Sequence, residues 1–219
     1  MFLGHFALGF AAKSRMPDVS LGTLFLAAQL ADLVWPVLVF AGIEAVEVRP
    51  GITAVTPLDF IHYPYSHSLL ALCAWGLAFG LLYKAVRKAS WTAVAALAAL
   101  VVSHWLLDWV AHRPDLPLLL SGGEKLGLGL WHSLPATLAA EALLLAAGVA
   151  LYHGSTRAVD RTGSIASWSL VAFLAIVYLA SLFGPPPPSG AAVAGSALSM
   201  WLLVLWGYWM DRHRRPSGR

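Results

Sequence analysis

Polar and apolar positions alternate along this chain in long blocks, not in the short periods of soluble helices or strands. Six apolar blocks are separated by short polar segments. A helix rises 1.5 Å per residue, so a block of about 20 apolar residues crosses the core of a bilayer. The pattern predicts an all-α integral-membrane bundle of about six transmembrane helices, over residues 19–43, 66–87, 90–112, 131–153, 165–183 and 191–210.

The first twelve residues, MFLGHFALGFAA, form a shorter apolar block. This block is too short to span, and its positive charges follow it, whereas those of a signal peptide come first. We predict an N-terminal half-helix inserted among the other helices and held at the cytoplasmic face by Lys13 and Arg15. The alternative is an amphipathic helix lying on the inner surface, which the near absence of a polar face disfavours.

Basic residues predict the orientation of the bundle. All but Arg49, Arg113 and Lys125 of the 14 Lys and Arg residues fall on one predicted face, including a tail that contains Arg212, Arg214, Arg215 and Arg219. Because basic residues are retained on the cytoplasmic side, we expect both termini to be cytoplasmic. The net charge of +3 then reflects topology, and we expect no nucleic-acid partner.

Composition supports a membrane protein and draws attention to the few ionisable groups inside the spans. Charged residues make up only 11% of the chain, against roughly 25% in a soluble domain. Such groups are costly in lipid and usually functional. They lie in the first four spans, so we divide the chain into a site-bearing region, 1–153, and a two-span scaffold hairpin, 154–219.

A helical pair in the third span suggests the chemistry. His104 and Asp108 are four residues apart in SHWLLDWVAH and share one helix face. Histidine and aspartate are ligands of Zn²⁺ and other divalent metals. Together with Asp32, His67 and His5 from other segments, this pair predicts a divalent metal site, with Zn²⁺ preferred. A bound ion would supply the countercharge that buried carboxylates need.

Other polar residues have simpler explanations. We assign His112 to the membrane boundary and expect Asp59 and His62, in the long outer loop, to be solvated. Counting residues places His5 about 12 Å above the cytoplasmic boundary and His104 about 12 Å below the outer one. In an apolar core about 30 Å thick, these counts leave the two histidines several ångströms apart.

The segments GHFALGF, LADLVWP, YSHSLL and SHWLLDWVAHRPDLPL follow one another in this order. They resemble the bacterial inner-membrane metal-dependent hydrolases of the LexA-binding membrane hydrolase-like family, over roughly the first half of the chain. The resemblance implies a location in the bacterial inner membrane, hydrolytic activity and a ligand set of His5, Asp32, His67, His104 and Asp108. Trp35 and Pro36 stand where the family has Asp-His-like residues, and YPY replaces its His-Arg-Gly, as in a divergent subgroup.

Our leading interpretation is a membrane-embedded, metal-dependent hydrolase that acts on a lipid or lipid-linked ester or phosphoester from the outer side. Glu141 or Asp115 would serve as general base. The alternatives are an ion or proton-coupled transporter, haem or quinone redox chemistry, and a non-catalytic membrane protein with a structural metal site. Small residues in SGAAVAGSALS would allow close helix packing, and a homo-oligomer stays open.

Overall fold

Helices make up most of the computed structural model, which describes residues 1–217, so Arg219 of the predicted tail lies outside the described residues. The all-α prediction is confirmed. The helices are α1 (Phe2–Arg15), α2 (Leu21–Ala28), α3 (Leu30–Phe40), α4 (Pro64–His67), α5 (Leu69–Arg87), α6 (Trp91–Ala111), α7 (Leu134–Ser155), α8 (Arg161–Phe183), α9 (Gly190–Ala197) and α10 (Met200–His213), with a 3₁₀ turn at Leu130–His132.

Five helical stretches in the described residues are long and apolar enough to cross a membrane. They are α5, α6, α7, α8 and the continuous stretch Gly190–His213 that contains α9 and α10. Their bounds lie within a few residues of the last five predicted spans. The chain is therefore a membrane protein by the length and composition of its helices.

The first predicted span differs from the structure. Residues 19–43 do not form one straight helix, because α2 and α3 meet at Gln29 with a bend of 57°. The pair is apolar enough to count as one broken span or as a re-entrant segment. The hydropathy pattern could not reveal the break, because both halves are equally apolar.

The N-terminal helix α1 lies inside the bundle, as the half-helix prediction requires. Phe6 and Phe10 are fully buried, and each meets the ring of Phe25 edge to face. Its closest neighbour is α7, where any side chain larger than hydrogen at Gly148 would collide with the backbone of Ala7. This close approach fits a small-residue helix contact within a membrane.

The described residues also form three short antiparallel strand pairs. They join β1 (Ala45–Val48) to β2 (Leu58–His62), β3 (Leu116–Pro117) to β4 (Lys125–Leu126), and β5 (Thr156–Ala158) to β6 (Arg214–Pro216). The first two pairs belong to the loops that were predicted to be outer. The third pair lies at the other end, beside the basic ends of α1 and α5, so the predicted basic face is one face of the molecule.

Candidate metal centre

Helix α6 supplies the central pair of the site. His104 and Asp108 are 1% and 3% exposed, and they point into the bundle from one face of the helix. His104 Nε2 lies 3.1 Å from Asp108 Oδ2. The predicted i, i+4 pair is therefore present and sealed from solvent.

His5 on α1 joins this pair, although the depth counts had separated them. Its ring stacks on the ring of His104 with centroids 3.6 Å apart and planes 4° apart. His5 Nε2 lies 3.1 Å from Asp108 Oδ1, and the Met1 nitrogen donates to the same oxygen at 2.5 Å. The depth counts were misleading because they measured the two residues from opposite membrane faces along idealised helix axes.

Asp32 and His67 reach the centre from two other elements. His67 Nε2 lies 3.3 Å from Asp32 Oδ1, and His104 Nε2 lies 3.7 Å from the same oxygen. Two groups of ligand atoms therefore share His104, one with His5 and Asp108 and one with Asp32 and His67, and each group could hold a metal ion. All five predicted ligands are brought together.

Hydrogen bonds behind the histidines fix which ring nitrogen faces the centre. His104 Nδ1 lies 2.9 Å from the carbonyl oxygen of Ala28, which can only accept, so Nδ1 carries the proton. A proton on Nδ1 leaves Nε2 as the ring nitrogen that faces the centre, 3.1 Å from Asp108 Oδ2. This is the tautomer that a metal ligand requires.

Hydrogen bonds also fix the orientation of the His67 ring. Ser66 Oγ donates to Glu44 Oε2 at 2.6 Å and lies 2.7 Å from His67 Nδ1. Because the serine proton is directed to the carboxylate, its oxygen accepts from His67 Nδ1, and His67 Nε2 faces the carboxylate of Asp32 at 3.3 Å. Glu44 is also held by the backbone amides of Tyr65 and Ser66, which makes it part of the rigid support.

His112 lies at the end of the α6 span, as predicted, but its side chain is buried beside the centre and not exposed to water. It is 2% exposed, and its Nε2 lies 3.9 Å from Asp108 Oδ2. Its Nδ1 donates to Asp115 Oδ1 at 2.9 Å. His112 is therefore a third histidine whose Nδ1 is held by an acceptor and whose Nε2 faces the carboxylate of Asp108.

Neither predicted general base belongs to the two groups of ligand atoms. Asp115 binds His112, Arg113 and the phenol of Tyr63. Burial raises the pKa of the Tyr63 phenol well above its usual range, so this phenol remains a donor. These three donors favour a positioning role for Asp115 over the predicted general-base role.

Glu141, a residue of α7, lies beside the first residues of α1. Its Oε2 accepts from the backbone amide of Gly4 at 2.7 Å, so a carboxylate from α7 satisfies the open amides of that helix. Glu141 also lines a largely apolar cavity of about 400 Å³ with Phe2, Trp131 and Tyr178. Its general-base role stays a prediction.

The sequence did not predict the supporting roles of two carboxylates, those of Glu44 and Asp59. Glu44 sits in a loop with no motif to mark it. Asp59 was expected to be solvated, yet it is only 4% exposed and pairs with Arg49 and Arg113. The expectation for His62 was right, since that side chain is exposed. Asp59 is buried and His62 is exposed because Asp59 forms ion pairs with arginines of other loop segments. A single sequence does not show which residues pair in this way.

The spacing of the ligand atoms fits a small divalent ion. Zn²⁺ binds nitrogen and oxygen at about 2.0–2.2 Å in tetrahedral sites, which sets neighbouring ligands roughly 3.3–3.6 Å apart. The contacts that His104 Nε2 makes with Asp108 and Asp32, at 3.1 and 3.7 Å, bracket that range. Lone pairs of histidine facing carboxylate oxygens repel one another unless a proton or a cation lies between them.

Comparisons with protein-family models, with curated proteins and with solved structures find no match for this chain. The resemblance of its motifs to membrane hydrolases therefore remains a prediction. What stands is a helical membrane protein that gathers five predicted ligands, and His112 beside them, around one buried centre.

Proposed function

We propose that this chain is an integral-membrane hydrolase that depends on a divalent metal, Zn²⁺ by preference. His5, Asp32, His67, His104 and Asp108, or a subset of them, would hold the ion. Such an ion supplies Lewis acidity and activates water for attack near neutral pH. We place the protein in the bacterial inner membrane with its basic end in the cytoplasm, an assignment supported by the clustering of basic residues at one end.

The observation that carries the proposal is the common orientation of three histidines. In His67, His104 and His112 the Nδ1 atom is held by an acceptor, and the Nε2 atom is directed towards a carboxylate. Three Nε2 atoms directed at the carboxylates of Asp32 and Asp108 form a set of nitrogen and oxygen donors that suits a cation at the centre.

The chain's own residues then divide into holding and positioning roles. Ser66 with Glu44 orients His67, the Ala28 carbonyl orients His104, and Asp115 orients His112. Glu141 is the general base we propose, because it borders the cavity of about 400 Å³ beside the start of α1. A carboxylate in apolar surroundings is well suited to accept a proton during hydrolysis.

Access and surroundings support a lipid-like substrate. Among the five ligands Asp32 is the accessible one, with 26% of its side chain exposed, whereas the other four are 4% exposed or less. The cavity beside Glu141 is walled by side chains such as Phe2, Val177 and Leu182, which suit an acyl chain. We therefore propose an ester or phosphoester of a membrane lipid, approached from the outer half of the bilayer.

The test is hydrolysis of defined lipids by the purified protein in mixed micelles. We expect release of fatty acid or of a phosphorylated headgroup from at least one member of a panel of phospholipids and lipid-linked phosphoesters. Chelation should abolish this release and added Zn²⁺ or Mn²⁺ should restore it. His104→Ala should remove activity, while His62→Ala, which alters an exposed histidine, should not. Activity that survives both chelation and His104→Ala would contradict the proposal.

A second function, ion transport, is favoured by one observation. The bend of 57° between α2 and α3 lies next to Asp32, and broken helices at ion sites are typical of secondary transporters. The test is flux of Zn²⁺ or protons into liposomes containing the protein. Flux that requires Asp32, together with no hydrolysis of any lipid, would replace the hydrolase proposal with transport.

A further inference from the structure

Another cavity, lined partly by charged residues, lies at the opposite end of the bundle from the metal centre. Its volume is about 680 Å³, and it opens where α1, α5 and α10 end and α2 begins. The helices end here at Arg15, Arg87 and His213, so the cavity lies at the boundary between apolar spans and water. None of its lining residues belongs to the metal centre.

The cavity combines an excess of positive charge with an apolar wall. Four of its lining residues are basic and two are acidic: Lys13, Arg87, Arg214, Arg215, Asp18 and Asp211. Lys13 pairs with Asp211 at 3.2 Å, and the buried Arg214 bonds Thr156. Arg87 and Arg215 are exposed residues, and Arg87 also hydrogen-bonds the phenol of Tyr83 in the cavity wall. Their exposure leaves both guanidinium groups accessible to a ligand.

The apolar wall continues directly from these charges onto the lipid-facing side of α5. Leu82 and Val86 line the cavity and are 64% and 71% exposed. Tyr83 and Tyr208 also line the cavity and add phenol groups to its basic and apolar residues. An amphiphile could therefore place an anionic group beside Arg87 and Arg215 while its chain follows α5 into the bilayer.

We propose that this cavity binds the headgroup of an anionic membrane phospholipid, with an acyl chain lying along Leu82 and Val86. Basic pockets between membrane helices are suited to anionic headgroups, and arginine forms paired hydrogen bonds with phosphate. A soluble anion would use the guanidinium groups alone and leave the exposed apolar wall unused. This site is independent of the metal centre and of the proposed hydrolysis.

The test is lipid binding to the full chain in a mild detergent, measured by native mass spectrometry. Dioleoylphosphatidylglycerol should bind at least tenfold more tightly than dioleoylphosphatidylcholine. Arg87→Gln with Arg215→Gln should weaken the anionic lipid by about 30-fold and leave the neutral lipid unchanged. The matched control is Arg161→Gln with Arg212→Gln, which removes the same charge from exposed residues outside the cavity and should leave binding intact.

Three results would overturn the proposal. Equal affinity for the two lipids would show that charge does not select the ligand. Equal losses in the cavity variant and the control would show that net charge, not this site, attracts the lipid. Inorganic phosphate that binds as tightly as dioleoylphosphatidylglycerol would show that the source is a soluble anion. Because the substituted arginines are exposed, unfolding should not obscure the comparison, and thermal unfolding of each variant checks this.

Discussion

His104 shows how a single side chain can be prepared for an ion at membrane depth. His104 Nδ1 donates a hydrogen bond to the carbonyl of Ala28, the ring of His5 covers one face, and Nε2 lies 3.1 Å from Asp108 Oδ2. A histidine that only filled space would not need all three. Each contact comes from a different element, so the chemistry of this residue depends on the fold around it.

The serine that orients His67 gives a prediction at this scale. Ser66→Ala removes the acceptor of His67 Nδ1 and breaks the link to Glu44, so the ring should lose its fixed orientation. We expect metal affinity to fall about 10- to 100-fold, measured by competition with a chromophoric chelator. Ser169→Ala is the control, since that exposed serine bonds only its own helix. Unchanged affinity in Ser66→Ala would argue against a role for His67 in binding.

Pairing within one helix was visible in the sequence, but support between helices was not. The four-residue spacing of His104 and Asp108 indicates a pair on one helix face. Asp32 and His67 are recognisable because they are ionisable residues within apolar segments. Glu44 and Asp115 sit in loops where acidic residues are common, so only the folded chain distinguishes them. The same limit explains His112, whose position at the end of α6 was equally compatible with water or with the centre.

At the scale of elements, the break between α2 and α3 shapes the site. Because α2 ends at Ala28, the carbonyl of that residue lies in the last turn of the helix, where intrahelical partners run out. It accepts from His104 instead. The new helix α3 then starts with Asp32 in its first turn, where the helix dipole favours a carboxylate. The bend therefore positions both the carbonyl that holds His104 and the carboxylate of Asp32.

The contact between α5 and α6 gives a second prediction. A Cβ atom at Gly80 would lie 2.8 Å from the carbonyl oxygen of Val94, so the helices pack there with no spare room. Gly80→Ala should separate them and destabilise the bundle by about 1–3 kcal/mol, measured by thermal unfolding in detergent. Gly154→Ala is the control, because nothing lies within 4 Å of the position its Cβ would take. Equal unfolding temperatures for the two variants would contradict this packing.

The β5–β6 pair gives a third prediction, which concerns pH. Asp160 accepts from His213 Nδ1 at 2.7 Å and from the amide of Gly163 at 2.8 Å, and these bonds lower the pKa of its carboxyl below 3.8. The stability they contribute is present above pH 3.8 and is lost as the pH falls through the lowered pKa.

Hydrogen exchange of the β5 and β6 amides between pH 5 and 3 measures this effect, after correction for the intrinsic pH dependence of exchange. In the wild type, the protection of these amides from exchange should decrease as the pH is lowered from 5 to 3. In Asp160→Asn, which lacks the titrating group, protection should be lower at pH 5 and should change little below it. Parallel pH profiles in both proteins would show that another group controls this end.

At the scale of the whole molecule, hydropathy predicted the bundle well because the bilayer imposes helix length. Five of six predicted spans lie within a few residues of observed helical stretches, and the inserted α1 follows from an apolar block too short to cross. The bend at Gln29 could not be predicted, since it depends on contacts between helices. The convergence of the ligands could be proposed only from their types, because their distances depend on how the helices pack.

Elemental analysis of the purified protein tests the central claim, a divalent metal held by the buried histidines and aspartates, most directly. The chain is purified in detergent from metal-replete cells, without added chelator or metal, alongside His104→Ala and His62→Ala. We predict near-stoichiometric Zn or another divalent metal in the wild type and in His62→Ala, and its loss in His104→Ala. A wild-type protein without divalent metal, or equal metal content in all three proteins, would contradict the account.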